Sequence, residues 1–257
     1  MKIATWNVNS LNVRLPHLLD WLKTASPDLL GIQETKTTDD KFPRDAIIAA
    51  GYQPICNGQK TYNGVAILSR LSTAPQDMVT QLPDMLDDPQ RRLLAATYGD
   101  VRMINVYIPN GAEVDSEKYH YKLRWLRALV AYLKTELRNH PKLAIVGDFN
   151  IAPEDRDVHD PKSWEGSVLV SPAERECFQQ LVSLGLVDSF RLFEQAPELF
   201  SWWDYRAAAY PRNHGLRIDH ILVSPKLATA CQSCHIDPTP RQWERPSDHA
   251  PVIAEFT

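Results

Sequence analysis

Gly147-Asp148-Phe149-Asn150 follows directly on the apolar run Leu143-Ala144-Ile145-Val146. The pattern predicts a buried strand ending in an acid and an amide that share one face, because strand residues alternate sides. Such a pair supplies a base and a neutral hydrogen-bond donor within one small volume, and catalytic groups tend to gather where strands meet loops. Polar residues close apolar runs in five further places: Asn7 with Asn9, Gln33 with Glu34, Asn105 to Gly111 around Tyr107, Leu216-Arg217-Ile218-Asp219, and Ser247-Asp248-His249. Any one of these reads as a turn former or a helix cap. Six segments of one composition, spread along the chain, read as a site.

The elements that must carry these residues follow from periodicity. Lys2 to Asn7 and Leu29 to Gln33 read as strands, and Leu15, Leu18, Leu19 and Leu22 form a helical stripe between them, which together make a βαβ unit. The middle of the chain reads as antiparallel: Gln53 to Asn57 and Val65 to Ser69, separated by a polar segment containing Asn63-Gly64, the dipeptide best suited to a tight hairpin turn, then Leu93 to Tyr98 and Arg102 to Ile108. A long amphipathic helix is expected over Glu117 to Asn139 and another over Pro172 to Leu184, stopped by Gly185. Strand-like runs return at Phe200 to Trp203, Arg217 to Val223 and Pro251 to Phe256. No linker, repeat or biased segment interrupts the 257 residues, so one domain over 1–257 is expected, and 44% hydrophobic content is ample for its core.

The N-terminus enters a strand pattern without a basic region or a long apolar stretch, so neither secretion nor membrane insertion is expected. Four unevenly spaced cysteines (Cys56, Cys177, Cys231, Cys234) make no disulfide framework and suit a reducing cytoplasm. Cys231-Gln232-Ser233-Cys234-His235 has the spacing of haem attachment, but haem attachment requires export, and a lone Cys-x-x-Cys lacks the second ligand pair of a zinc site. A net charge of -4 leaves the class of substrate open.

Over its whole length the sequence resembles the exonuclease III family of DNA-repair nucleases, within the endonuclease, exonuclease and phosphatase superfamily. The resemblance rests on Trp6-Asn7-Val8-Asn9-Ser10-Leu11, Gln33-Glu34-Thr35-Lys36, Tyr62-Asn63-Gly64-Val65-Ala66, Val106-Tyr107-Ile108-Pro109-Asn110-Gly111, Gly147 to Pro153, Gly215 to Asp219, and Pro246-Ser247-Asp248-His249-Ala250-Pro251. It implies an α/β (α+β) four-layer sandwich, two packed mixed β-sheets flanked by helices, with the active site at one edge. It also implies double-stranded DNA as partner, cut at abasic sites, nicks or 3′ ends, by an enzyme expected to be monomeric.

The residues themselves permit metal-assisted cleavage of a phosphodiester by water, which needs a cation, a base for water and donors for developing charge. Glu34 is the best single ligand for Mg²⁺, with Mn²⁺ as substitute, and Asp248, Asn7 and Asn9 would complete or support that shell. Asp148 is the candidate that deprotonates water, with Asn150 and Asn7 holding water or phosphate. Asp219 beside His249 favours a charged ring that donates to a phosphate oxygen. Tyr107 offers a phenolic proton to the phosphate or the leaving oxygen; the plain alternative is a packed strand aromatic. By the resemblance, Asp148, Asn150 and His249 also line a second metal position, leaving one ion or two open.

Arg91-Arg92, Lys36, Lys60, Arg124, Arg212 and Arg217 are candidate phosphate contacts. By the resemblance, Trp202, Leu216 and Ile218 form an apolar pocket for a base-less sugar or a terminal nucleotide, whereas Trp203 reads as core. The polar segment Asp155 to Ser171 is the candidate for deciding which ends or lesions fit. Two alternatives stand beside this reading: a same-fold phosphoesterase for a non-DNA substrate, which the Tyr107 to Gly111 motif disfavours, and a non-catalytic DNA-binding scaffold, which the complete polar set disfavours.

Overall fold

A computed structural model describes residues 1–257. The chain opens with β1 (Lys2–Asn7), α1 (Leu11–Ala25), β2 (Leu29–Gln33), α2 (Arg44–Ala49), β3 (Gln53–Asn57) and β4 (Val65–Ser69). It continues with β5 (Gln76–Val79), β6 (Leu93–Tyr98), β7 (Val101–Tyr107), α3 (Glu117–Asn139) and β8 (Leu143–Asp148). The last part holds α4 (Pro161–Trp164), α5 (Pro172–Ser183), β9 (Val187–Asp188), β10 (Trp202–Trp203), β11 (Gly215–Leu216), β12 (Asp219–Val223), α6 (Pro225–Ala228), β13 (Cys231–Ile236) and β14 (Val252–Phe256). No helix is long and apolar enough to cross a membrane.

Local chemistry sets the main boundaries. Ser116 caps α3 by accepting from the Tyr119 amide, and Trp125, Leu126, Leu129, Tyr132 and Leu133 repeat at helical spacing on its buried face. Ser171 and Glu174 form a capping box at the start of α5, with Pro172 at the first helical position. In β8, Leu143 and Ile145 join one core while Ala144 and Val146 join another, the period of two expected of a strand buried on both faces.

Two six-stranded sheets result, in the orders β13-β14-β1-β2-β4-β3 and β5-β6-β7-β8-β12-β9. Both have a parallel pair at the centre, β1 with β2 and β7 with β8, and antiparallel neighbours on either side. This twofold repetition of strand directions leaves no repeat in the sequence. The sheets pack face to face through Ile3, Leu29, Val65 and Ile67 of one and Leu94, Met103, Val146 and Ile221 of the other. Helix α1 covers one outer face with Leu18, Trp21 and Leu22, and α3 with α5 covers the other. The order helix, sheet, sheet, helix is the four-layer sandwich.

The sheets approach closely beneath one edge. A Cβ on Gly31 would lie 2.8 Å from Val146 Cγ2 and 2.9 Å from the Asn105 side chain, so only glycine fits. Gln33 Nε2 donates to Asn105 Oδ1 at 2.7 Å, and Asn105 Nδ2 donates to the carbonyls of Ile32 and Ala66. These buried polar pairs cross between the sheets and fix their relative register, because leaving either amide unpaired is costly.

Three expectations change. The β3–β4 connection spans 58–64, since Asn57 pairs with Val65, and is not a two-residue turn. The run expected over Arg217 to Val223 starts only at Asp219, with Gly215–Leu216 forming the separate β11, and the amides of Ile218 and Asp219 at the junction both donate to Ser201 Oγ at 3.0 Å. The segment after the Asp148 strand is structured, with a 3-10 turn at Asp155–Asp157 and α4.

Candidate active site

The carboxyl ends of both central parallel pairs meet at one edge of the sandwich. Asn7 ends β1 opposite Gln33 of β2, and Tyr107 ends β7 opposite Asp148 of β8. Antiparallel neighbours deliver the remaining groups to the same edge: Asp219 begins β12 opposite Asp148, and Asp248 and His249 lie just before β14, which runs against β1. Gly147 is required because any Cβ there would overlap the Val106 carbonyl of the neighbouring strand.

Asn7 is the hub. Its Nδ2 donates to Glu34 Oε1 at 3.0 Å and to Asp148 Oδ2 at 2.9 Å, while its Oδ1 accepts from the Asn9 amide. Lys36 pairs with Glu34 at 2.9 Å and donates to Asn9 Oδ1. Burial opposes ionisation of Glu34, but Lys36 and Asn7 prevail and lower its pKa. For Asp148, burial dominates, and with Asp219 and Glu34 it raises the pKa to about 7 against the pull of His249.

His249 Nδ1 donates to Asp219 Oδ2 at 2.9 Å, and its Nε2 lies 3.7 Å from Asp148 Oδ2. Burial disfavours the charged ring, but Asp219 and Asp148 outweigh it and raise the pKa to about 10, so the ring is a cation at neutral pH. Ser201 donates to the same Asp219 oxygen at 2.7 Å, and Asp219 Oδ1 is buried without a partner. The Tyr107 hydroxyl is held protonated, its pKa raised well above 10 by burial and then by Glu34 and Asp148. Arg92 stacks 4.7 Å from the Tyr107 ring and donates to its carbonyl.

The residues expected at the site divide into three groups. Glu34, Asp148, Asn7, Asp219, His249 and Tyr107 come together as expected. Asn150 also arrives, but not by strand alternation: β8 ends at Asp148, and Asn150 turns into the left-handed region with φ 50. Its amide donates to Asp148 Oδ1 at 2.9 Å, its Nδ2 donates to the Ile108 carbonyl, and its Oδ1 accepts from Asn110. Asn9 reaches the rim and donates to Asp248 Oδ1 at 2.9 Å, while Trp202 Nε1 donates to Asp248 Oδ2 at 3.0 Å.

Arg217 is a correction. It is 2% exposed, donates to Asp157 Oδ1 at 2.7 Å and pairs with Asp188 at 2.9 Å, so its charge is spent inside the protein and reaches no phosphate. Leu216 and Ile218 are buried under Ala152, Val158, Leu169 and Val170, with Trp202 at the edge of that cluster, so they form a packed wall and not an open pocket. Arg91 holds its loop through backbone bonds to Gln59 and Gly64. Trp203 is core, as expected. Ser201 carried no signal in the sequence, since its partners lie 17 and 18 residues away in an unrelated segment.

The donor set suits a hard divalent cation. Ligand atoms of Glu34, Asp148 and His249 lie within 4.8 Å of one another, and three carboxylates (Glu34, Asp148, Asp219) face two cations (Lys36, His249), leaving excess negative charge. Asn7 presents its N–H groups to these carboxylates, and Asn150 Oδ1 is engaged by Asn110. Asp248 is held apart by Asn9 and Trp202. The ligand atoms that converge are those of Glu34, Asp148 and His249, with Asn7 donating to both carboxylates. A groove of about 420 Å³ opens beside Tyr107, lined by Tyr62, Arg92, Asn110 and Lys118.

A sandwich of two mixed sheets with paired carboxylates, amides and a charged histidine at its edge defines a metal-assisted phosphoesterase. Known proteins agree: the profile of the Endonuclease/Exonuclease/phosphatase family matches residues 4–249. Exodeoxyribonuclease III of Haemophilus influenzae is 38% identical with both chains fully covered. A 3′ phosphatase from Neisseria, solved with a product DNA hairpin, superposes with a TM-score of 0.97 at 50% identity, covering 100% of this chain and 99% of its own. An AP endonuclease from Archaeoglobus fulgidus gives a TM-score of 0.94 at 39% identity, over 100% of this chain and 99% of its own. The chain belongs to the endonuclease/exonuclease/phosphatase family and, within it, to the exodeoxyribonuclease III-like DNA-repair nucleases.

Proposed function

We propose that this chain is a Mg²⁺-dependent DNA-repair nuclease whose main work is at 3′ ends, releasing terminal phosphates or nucleotides, with incision at abasic sites a lesser activity. The observation that carries this preference is the packed wall of Leu216, Ile218, Leu169 and Val170 beside the catalytic edge. An extrahelical sugar would have to part these side chains, whereas a terminal phosphate needs only the polar edge itself. The likeness to a DNA-bound 3′ phosphatase supports the same choice.

In this reading Asp148, its pKa raised by burial, takes the proton from water, and Asn7 holds it in place. Charged His249, oriented by Asp219, donates to a phosphate oxygen, and protonated Tyr107 donates to the phosphate or the leaving oxygen. Glu34 would hold Mg²⁺, which when bound neutralises charge on the phosphoryl group, leaving Asp148 to act on the water. Four free cysteines suit the cytoplasm.

The test is a comparison of three labelled duplexes in Mg²⁺, Mn²⁺ and EDTA: a 3′-phosphate nick, an undamaged recessed 3′ end and an internal abasic analogue. Fastest turnover of the 3′-phosphate, lost in EDTA, is expected. Faster incision of the abasic analogue overturns the end preference, and no turnover of any substrate in either metal overturns the nuclease reading.

A further inference from the structure

Behind the site, three consecutive carbonyls of the segment after β8 are each held by a side chain from a different element. Asn150 O accepts from Lys122 of α3 at 2.6 Å, Ile151 O from the ring of His220 in β12 at 2.9 Å, and Ala152 O from Arg175 of α5 at 3.1 Å. Lys122 stands out, because its side chain and that of its partner Glu174 are both 0% exposed. An apolar side chain would fill such a place at lower desolvation cost, so stability alone is a poor reason for an ammonium there. What only the ammonium supplies is three directed protons.

Those protons have three acceptors: Asn150 O, Asn110 O at 3.1 Å, and the Glu174 carboxylate. Asn110 and Asn150 are also joined through their side chains, Nδ2 to Oδ1 at 3.1 Å. The ammonium thus clamps, from behind, the backbone of the same two residues whose amides meet in front. This supports Asn150 in its left-handed turn, a conformation open to asparagine and braced in front by its amide bond to Asp148 Oδ1. Glu174 extends the clamp: it accepts from the amides of Leu169 at 3.0 Å and Ser171 at 3.1 Å, and from Ser171 Oγ at 2.5 Å. Leu169 in turn packs in the wall with Leu216 and Ile218.

We infer that Lys122 is a positioning residue for phosphodiester hydrolysis, fixing Asn150 against Asn110 and, through Glu174, setting the Leu169 wall that borders the reacting end of the substrate. The inference rests on the proposed function, in which Asp148, whose Oδ1 the Asn150 amide holds, takes the proton from water.

The test uses the double variant Lys122→Met/Glu174→Gln, which leaves no orphan charge, together with Lys122→Arg, which restores donors, and Glu174→Gln alone. Each is assayed well below its melting temperature on the 3′-phosphate nick and the recessed 3′ end. The double variant is expected to lose about 10- to 100-fold in kcat, the usual cost of removing a partner that orients a reacting group, with KM within about threefold, and Lys122→Arg to recover most of the loss. Glu174→Gln is expected to shift the ratio of rates on the two substrates by several fold. A folded double variant with kcat within twofold of the parent on both substrates overturns the proposal; if it fails to fold, a Glu174→Gln variant with unchanged kcat and unchanged substrate ratio does so. Asp148→Ala is run in parallel: if it remains active, the water-attack reading fails, whatever Lys122 does.

Discussion

His249 Nδ1 lies 2.9 Å from Asp219 Oδ2, joining the loop before β14 to the first residue of β12. The contact crosses from one sheet to the other, so the charge and orientation of the ring depend on how the two sheets are packed. Replacing Asp219 by Asn keeps the shape but removes the carboxylate that sustains the cation. Asp219→Asn should lower kcat by roughly 10²–10⁴, the range for loss of a positioned acid or base, with a much smaller change in KM. Steady-state kinetics on a 3′-phosphate nick checks this, and an unchanged kcat would show that the charged ring is not used.

Asp148 is the second test. Asp148→Ala should abolish cleavage in Mg²⁺ while DNA affinity stays within a few fold, because binding comes from phosphate contacts around the groove and catalysis from the edge. Equilibrium binding and product formation measured on one preparation separate the two. Equal turnover by parent and variant would remove Asp148 from the chemistry.

Arg217 and Lys118 make opposite predictions. Arg217→Ala leaves Asp157 and Asp188 without this partner and should cost about 3–5 kcal/mol of stability, with no change in the salt dependence of DNA binding. Lys118→Ala, at the groove beside Tyr107, should leave stability alone and reduce the salt slope of binding by about one. Denaturant melts and binding titrations across a salt series decide both.

His220 gives a stability test with a definite sign. It is buried, accepts from Arg217 on Nδ1 and donates from Nε2 to Ile151 O, and burial followed by Arg217 lowers its pKa to about 4. The folded state therefore resists a proton that the unfolded chain takes up near pH 6.5. Its contribution is fully present above about pH 6.5 and is lost as pH falls from there toward 4, a change on the order of a few kcal/mol. His220→Gln should flatten the fall of Tm between pH 7 and 4.5 relative to the parent, and identical curves would contradict the assignment.

Much of this was legible along the chain. Strands buried on both faces, such as Leu29 to Gln33 and Leu143 to Val146, declare themselves as unbroken apolar runs, and the polar residue that ends each run falls at the site because strands stop at the sandwich edge. Arg217 was not legible. An arginine one residue from an apolar pair looks like a phosphate contact until Asp157 and Asp188, 60 and 29 residues away, are seen to enclose it. Ser201 and Lys122 were hidden for the same reason, since their worth lies wholly in long-range partners.

The sequence by itself determined which polar residues close the apolar runs and that they stand at strand ends, because alternation, run length and residue type are local properties. Only the tertiary structure decided which of them share an oxygen, a proton or a charge. The packing of two sheets made Asn7 the bridge between Glu34 and Asp148, turned Asn150 on a Lys122 clamp, and closed the Leu216 and Ile218 wall. Those contacts depend on distances between segments far apart in the chain, which no local pattern encodes.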